Sequence, residues 1–375
     1  MRRLIPCQMS LLAVALGAAL GSASPAAAGP FEDAVAIATD PKALASRSAE
    51  AERLFRAAMS SGDNQADAAY NLGLVLLKRG DRAGAKRAWA QALSLKPGHL
   101  GAMARLASLD LDDPSTAPSA LAALEALVRE KCDSDGPCDR FQPDARNALA
   151  GRALAEGRLD DAIRHGRNAL LGDPENVNAF LNVAIAYFRK GLPDQAGLIA
   201  TSALEKNPNA ASLHNLMGLV YLSKDDSRGA TQAFTAALEV DPTHDDARLN
   251  LAALELAYGD FAGALKRFDE VLANRPDDPE LVTSRAVALR GLKRFDEADA
   301  AYRAAATLPG ANPDIGYNLC ILHHQYTQRW SDAETACQAY LTVLSDKHPN
   351  RGEVEKRLKG IRATLKALQN QPQTP

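Results

Sequence analysis

The chain repeats itself every 34 residues, and that period limits its fold more than any other feature. Ala162, Ala196, Ala230, Ala264 and Ala298 stand 34 apart, as do Pro174, Pro208, Pro242 and Pro276. A third column of small residues runs in the same register: Ala169, Ala203, Ala237, Val271 and Ala305. Three columns with one period of this length imply a stacked array of supersecondary units rather than a single closed core.

The period also identifies the unit. Each repeat opens on a pattern such as Phe180-x-x-Val183-Ala184-x-x-Tyr187, and apolar residues recur three and four apart on both sides of a short break. That spacing predicts two amphipathic helices per repeat. The first helix ends at a Gly or polar turn (Gly157, Gly191, Asp225-Asp226, Gly259), and the second ends before the proline, which cannot continue it. The small residues are predicted to let helices approach closely, and Trp89, Phe234, Phe268 and Tyr302 share one core position.

This pattern resembles the tetratricopeptide-repeat superfamily over most of the chain. The resemblance implies an all-α solenoid, a right-handed superhelix of antiparallel helix pairs, with capping helices at both ends. About eight repeats are expected over 66–349, the second of them degenerate, with a Cys-containing insert at about 131–142. The insert follows from spacing, since Ala85 and Ala162 lie 77 apart where two whole repeats need 68. Residues 29–65 are expected to form a loose lead-in and an N-terminal capping helix from about Arg47 to Met59. Residues 350–369, with the apolar stripe Val354, Leu358, Ile361, Leu365 and Leu368, are expected to close the other end, and 370–375 form a tail. The reading is of one elongated domain, because a solenoid grows by addition.

Residues 1–28 read as a secretory signal: Arg2 and Arg3, the apolar core Leu11–Leu20, and Ala26-Ala27-Ala28 before Gly29. The run is too short to span a bilayer. Cys7 precedes the apolar core, whereas a lipoprotein cysteine follows it. The expected product, cleaved after Ala28, is exported to the periplasm, and any tie to the outer membrane would run through a partner. Losing two arginines and no acids takes the formal charge from −3 to −5. No basic stripe of the kind nucleic acid needs is present, and no other stretch is apolar enough to cross a membrane.

Four cysteines follow the signal: Cys132, Cys138, Cys320 and Cys337. An even count in an exported chain favours disulfides, with buried free thiols the alternative for Cys320 and Cys337. Asp133, Asp135 and Asp139 approach a calcium-loop pattern but lack its third alternating ligand and distal Glu, so no metal is expected. No cofactor is expected, and no Ser/His/Asp set, phosphate-cradling loop or HExxH motif points to an enzyme.

The superfamily resemblance implies that first helices line a concave groove receiving a peptide or a partner helix. Asn71, Asn182, Asn250 and Asn318 share its sixth position, where a side-chain amide can donate to a peptide C=O and accept from its N–H. The competing reading is that these asparagines stabilise repeat packing. Ile185, Phe188, Leu219, Leu222, Leu249, Tyr317 and Ile321 are expected around them, with Arg189 an isolated charge. The Lys/Arg clamp by which related co-chaperones grip a C-terminal carboxylate is absent: Tyr70, Asn147, Leu181, Asn215 and Leu249 stand where its lysine would.

The expected function is a non-catalytic adaptor holding one or more envelope proteins through a peptide or helix. The alternative is an exported chaperone serving many clients through the same groove. The final repeat is similar to tetratricopeptide components of the myxobacterial adventurous-gliding apparatus, which places motility machines among the candidate complexes. Self-association is possible in principle but not expected, because both ends are capped.

Overall fold

The computed structural model describes residues 29–60, 64–129 and 139–370. The signal, Cys132, Cys138, Asp133, Asp135 and the tail beyond Asn370 lie outside these. Among the described residues there are nineteen α-helices, one π-helical turn and no strand. The chain packs as two compact units, one running to Ala247 and the other from Arg248, a boundary inside α13 (Asp245–Tyr258).

The first unit holds α1 (Pro30–Thr39) and α2 (Pro41–Ser60), then five helix pairs. These are α3 (Gln65–Lys78) with α4 (Arg82–Leu95), and α5 (Leu100–Asp110) with α6 (Ala117–Leu127). Next come α7 (Pro143–Ala155) with α8 (Leu159–Gly172), α9 (Val177–Arg189) with α10 (Pro193–Lys206), and α11 (Ala211–Ser223) with α12 (Ser227–Val240). The second unit holds most of α13, then α14 (Phe261–Leu272), α15 (Pro279–Gly291), α16 (Phe295–Thr307) and α17 (Ile315–Ile321). The π-helical turn Leu322–Thr327, α18 (Trp330–Val343) and α19 (Arg351–Gln369) complete it.

Both columns of small residues lie at zero exposure, so they are the contact surface between helices. Over them sit the aromatics: Trp89, Phe234 and Tyr302 are fully buried and Phe268 nearly so. Glycine makes room where the ring comes closest. A Cβ on Gly73 would stand 2.2 Å from Trp89 Nε1, and one on Gly218 would stand 2.3 Å from Phe234 Cε1.

The turn inside most pairs is made with a left-handed residue, which is glycine at Gly80 (φ 82°), Gly157 (73°), Gly191 (75°) and Gly259 (82°). Three repeats use residues with a Cβ instead, Asp225 (φ 58°), Lys293 (φ 62°) and Gln328 (φ 52°). An L-residue there costs roughly 1–2 kcal/mol. Lys293→Gly is therefore expected to raise stability by about 1 kcal/mol, less glycine's extra unfolded-state freedom, read as a higher urea midpoint. An unchanged or lower midpoint would mean that contacts of the lysine outweigh the backbone strain.

The N-terminal end departs from expectation. The lead-in is helical: α1 buries Ala34, Ile37 and Ala38, and Phe31 meets Phe55 edge-on at 6.1 Å. The capping helix starts at Pro41 and kinks at Arg47 (φ −121°, ψ 20°), the point where it was expected to begin. At the other end α19 buries Val354, Leu358 and Ile361, but Leu368 runs past the stack and is 47% exposed.

In the last repeat Cys320 of α17 is bonded to Cys337 of α18, both fully buried, with Cα atoms 4.8 Å apart. The loop spans 17 residues, so the bond is worth about 3 kcal/mol on the chain-entropy model. Thermal melts with and without reductant should differ accordingly, and coincident melts would exclude the bond from the purified protein.

Candidate functional site

Several first helices begin on a side-chain cap, and the capping residue changes from repeat to repeat, whereas α3, α11 and α17 start without one. His99 Nδ1 accepts from the N–H of Ala102 (3.2 Å), Gln142 Oε1 from Ala145 (2.6 Å), and Asn176 Oδ1 from Ala179 (2.9 Å). His244 Nδ1 accepts from Ala247 (3.2 Å). These bonds satisfy otherwise orphaned helix N–H groups and set the start of each helix they cap, hence which residues its free face presents.

In the first unit the expected groove residues divide. Phe188, Leu219 and Leu222 are half-buried, and Arg189 is exposed with its guanidinium donating to the carbonyl of Leu154 (2.8 Å). Asn71 is half-buried and its amide donates back to Asp67 O (2.9 Å) in its own helix. Asn182 and Ile185, by contrast, are enclosed, at 1% and 5% exposure. A peptide on the surface cannot reach them, which corrects their assignment to the groove. Asn182 donates to Asn147 (3.4 Å to Oδ1, 3.5 Å to O), Asn147 donates to Asn176 Oδ1 (3.0 Å), and Asn176 to Asp173 Oδ2 (3.1 Å). This buried amide chain runs between neighbouring repeats, so the packing reading is the one its geometry fits.

In the second unit Leu249 is 1% exposed, packed with Leu281 and Phe268, and likewise belongs to the core. Asn250, Asn318 and Ile321 are half-buried. Tyr317 is half-buried but already engaged: it packs on the cluster of Cys320, Cys337 and Tyr340, and its phenol pairs with Glu353 of α19. Burial and that carboxylate together push its pKa up. Arg290 lies over the ring of Tyr326 at 5.3 Å.

Sequence reasoning missed a polar cluster on the first helices of three consecutive repeats. Tyr70 (α3) donates to Asp144 Oδ2 (2.6 Å), and Arg105 (α5) donates to Asp144 Oδ1 (2.7 Å), with Asp144 on α7. His99 stacks on Tyr70 at 5.0 Å. Burial opposes the Arg105 charge, yet Asp144 holds its pKa above the ordinary value; burial, then the same carboxylate, raise that of Tyr70. Only the 39-residue spacing of Arg105 and Asp144, outside the repeat period, could have hinted at the pairing.

A second missed feature is a cavity of about 440 Å³ in the second unit, between α16, α17 and α18. Ile315, Leu319, Ala336 and Val343 line it, with Arg303 and Asp332 among its polar residues. One triad-like order occurs among the described residues: Asp299 Oδ1 lies 3.0 Å from His323 Nε2, and Thr327 Oγ1 lies 3.5 Å from Nδ1. His323 is at zero exposure, so no substrate can approach it. No group of His, Cys, Asp and Glu among the described residues is arranged to hold a metal ion, and no described helix is long and apolar enough to cross a membrane.

One tetratricopeptide-repeat family model matches residues 66–99, and another matches 153–220 and 221–287. Among curated proteins, the chain is similar to the cellulose synthase operon protein C of Pseudomonas fluorescens (strain SBW25), 26% identical over 170 residues. That match covers 42% of this chain and 13% of the relative. It is also similar to the peroxisomal targeting signal receptor of Eremothecium gossypii, 26% identical over 265 residues, 68% of this chain and 37% of the relative. The chain thus spans well under half the length of either relative. Among solved structures, the APC/C hetero-tetramer Cut9–Hcn1 matches with a TM-score of 0.62 at 14% identity, over 88% of this chain and 62% of that one. At that identity the likeness concerns the fold alone.

Proposed function

Because the chain is a tetratricopeptide-repeat protein, a class that mediates protein–protein interactions, we propose that it is a non-catalytic scaffold holding a partner's peptide segment or helix on its first-helix face. The observation that carries this reading is the run of half-buried apolar residues Phe188, Leu219 and Leu222 beside the exposed Arg189, in a unit whose small-residue columns are already used up in packing. Half-buried apolar side chains with a charge at their margin fit a partner that brings its own apolar anchors. The relative whose name makes it a receptor for a targeting signal is in keeping with peptide recognition. The signal-like segment 1–28 adds the setting: the periplasm, and a complex of the cell envelope.

The test is capture from envelope extract on the immobilised chain, beside a Phe188→Ala/Leu222→Ala/Arg189→Glu variant with unchanged far-UV circular dichroism. Loss of one or two stoichiometric partners in the variant is expected. Many substoichiometric clients would favour the chaperone reading, and an identical partner list would move the site off this face.

A further inference from the structure

In a repeat array each unit packs chiefly on its neighbours, and one contact of the first unit reaches far beyond them. Helix α3 packs on α1, α2 and α4, and α12 packs on α11. Yet Lys78, the last residue of α3, donates to Asp241 Oδ2 at 2.9 Å, across 163 residues of chain. Asp241 is the residue that caps the C-terminal end of α12, so the ion pair joins the first repeat to the fifth.

The carboxylate is prepared for this contact. Its Oδ1 is held by the Thr243 N–H (3.0 Å) and the Thr243 hydroxyl (2.6 Å), which leaves Oδ2 for the lysine. Its side chain is only 8% exposed, against 30% for Lys78. Although burial works against the charge, Thr243 and Lys78 hold its pKa below the usual carboxylate value. The repeats supply an internal comparison. Asp173 occupies the same place two repeats earlier, before Pro174, and its Oδ1 likewise accepts from the backbone N–H two residues on (3.2 Å, Glu175). There the second oxygen is satisfied at home, by the Asn176 amide (3.1 Å). In the fifth repeat His244 replaces that asparagine, and its ring nitrogens are taken by the Ala247 N–H and by Ser212 (3.2 Å each). The exchange of Asn for His frees one carboxylate oxygen, and the distant lysine fills it.

We propose that the Lys78–Asp241 ion pair is a clasp that ties the two ends of the five-repeat arc and sets how far its first-helix face opens. Among the described residues α3 and α12 are not a packed helix pair, so loss of the contact lets the small rotations between neighbouring repeats relax outward. A partner seated on that face would have to fit within the clasped arc or release it. This last consequence rests on the function proposed above; the clasp itself does not, and it can be tested without any partner.

A carbodiimide joins a lysine amine to a carboxylate only where the two are in contact. Treatment of the full chain followed by peptide mass spectrometry should yield a Lys78–Asp241 amide. The pairs Lys86–Asp110 (2.6 Å) and Lys190–Asp160 (2.5 Å) serve as positive controls. Small-angle scattering should then show a larger maximum dimension for Lys78→Met than for the parent, with Lys78→Arg and Lys86→Met unchanged. Control amides without the Lys78–Asp241 product would overturn the contact. The product together with unchanged dimensions in a helical Lys78→Met would overturn the clasp, leaving an ion pair that constrains nothing.

Discussion

Trp89→Ala is expected to cost about 3–5 kcal/mol, the largest loss from any single side chain of the first repeat. Trp89 is at zero exposure, its ring fills the space left by Gly73, and its indole N–H donates to the Tyr70 carbonyl at 3.0 Å. Truncation therefore removes a large buried surface, leaves a cavity beside a glycine that cannot fill it, and loses the hydrogen bond that the indole adds to a carbonyl inside α3. Trp89→Phe separates the contributions: it keeps most of the ring and drops the donor, so it should recover more than half of the loss. The readout is the urea midpoint by circular dichroism. A shift under about 1 kcal/mol for Trp89→Ala would mean that the cavity collapses, contrary to a site walled by Ala85, Ala88 and Ala92.

Arg105→Met should cost a similar amount, about 3–5 kcal/mol, by a different route. The methionine replaces the stem and leaves the Asp144 carboxylate, 12% exposed, without its counter-charge. The Tyr70 hydroxyl still donates to it, but one neutral donor does not replace a guanidinium. Breaking a buried pair is more harmful than removing it, so Arg105→Met/Asp144→Leu should be closer to the parent than Arg105→Met alone. If the double variant were the worse of the two, the pair would be a net stabiliser of the interface among α3, α5 and α7.

What the sequence made legible was whatever recurs. Ala162 to Ala298 and Ala169 to Ala305 could be placed in the core because a shared period marks a shared environment, and each is fully buried. The period could not say which way the apolar residues of a first helix face. Leu249 carries the same helical spacing as Phe188 and Leu222, yet it turns into the stack, because a first helix is apolar on the side that meets its partner as well as on its free side. Ile185 shares its column with Leu219, 34 residues on, and differs only in being enclosed where Leu219 is half-buried. Contacts made once were invisible for the opposite reason. Tyr70, Arg105 and Asp144 meet across the degenerate second repeat, and Lys78 meets Asp241 four repeats on; no column of the pattern contains them. The N-terminal helix was missed more simply, since Ala34, Ile37 and Ala38 show helical spacing for little more than a turn.

The buried amides of Asn147, Asn176 and Asn182 bear on how such a chain can be recombined. Joints sealed by alanine alone accept any neighbour of similar shape, so whole modules can be duplicated or exchanged across them. The joint between the third and fourth repeats is keyed: Asn182 must find Asn147, and Asn147 must find the residue that caps α9. A chimaera spliced there inherits half a lock, whereas one that carries 143–210 as a single cassette keeps it whole.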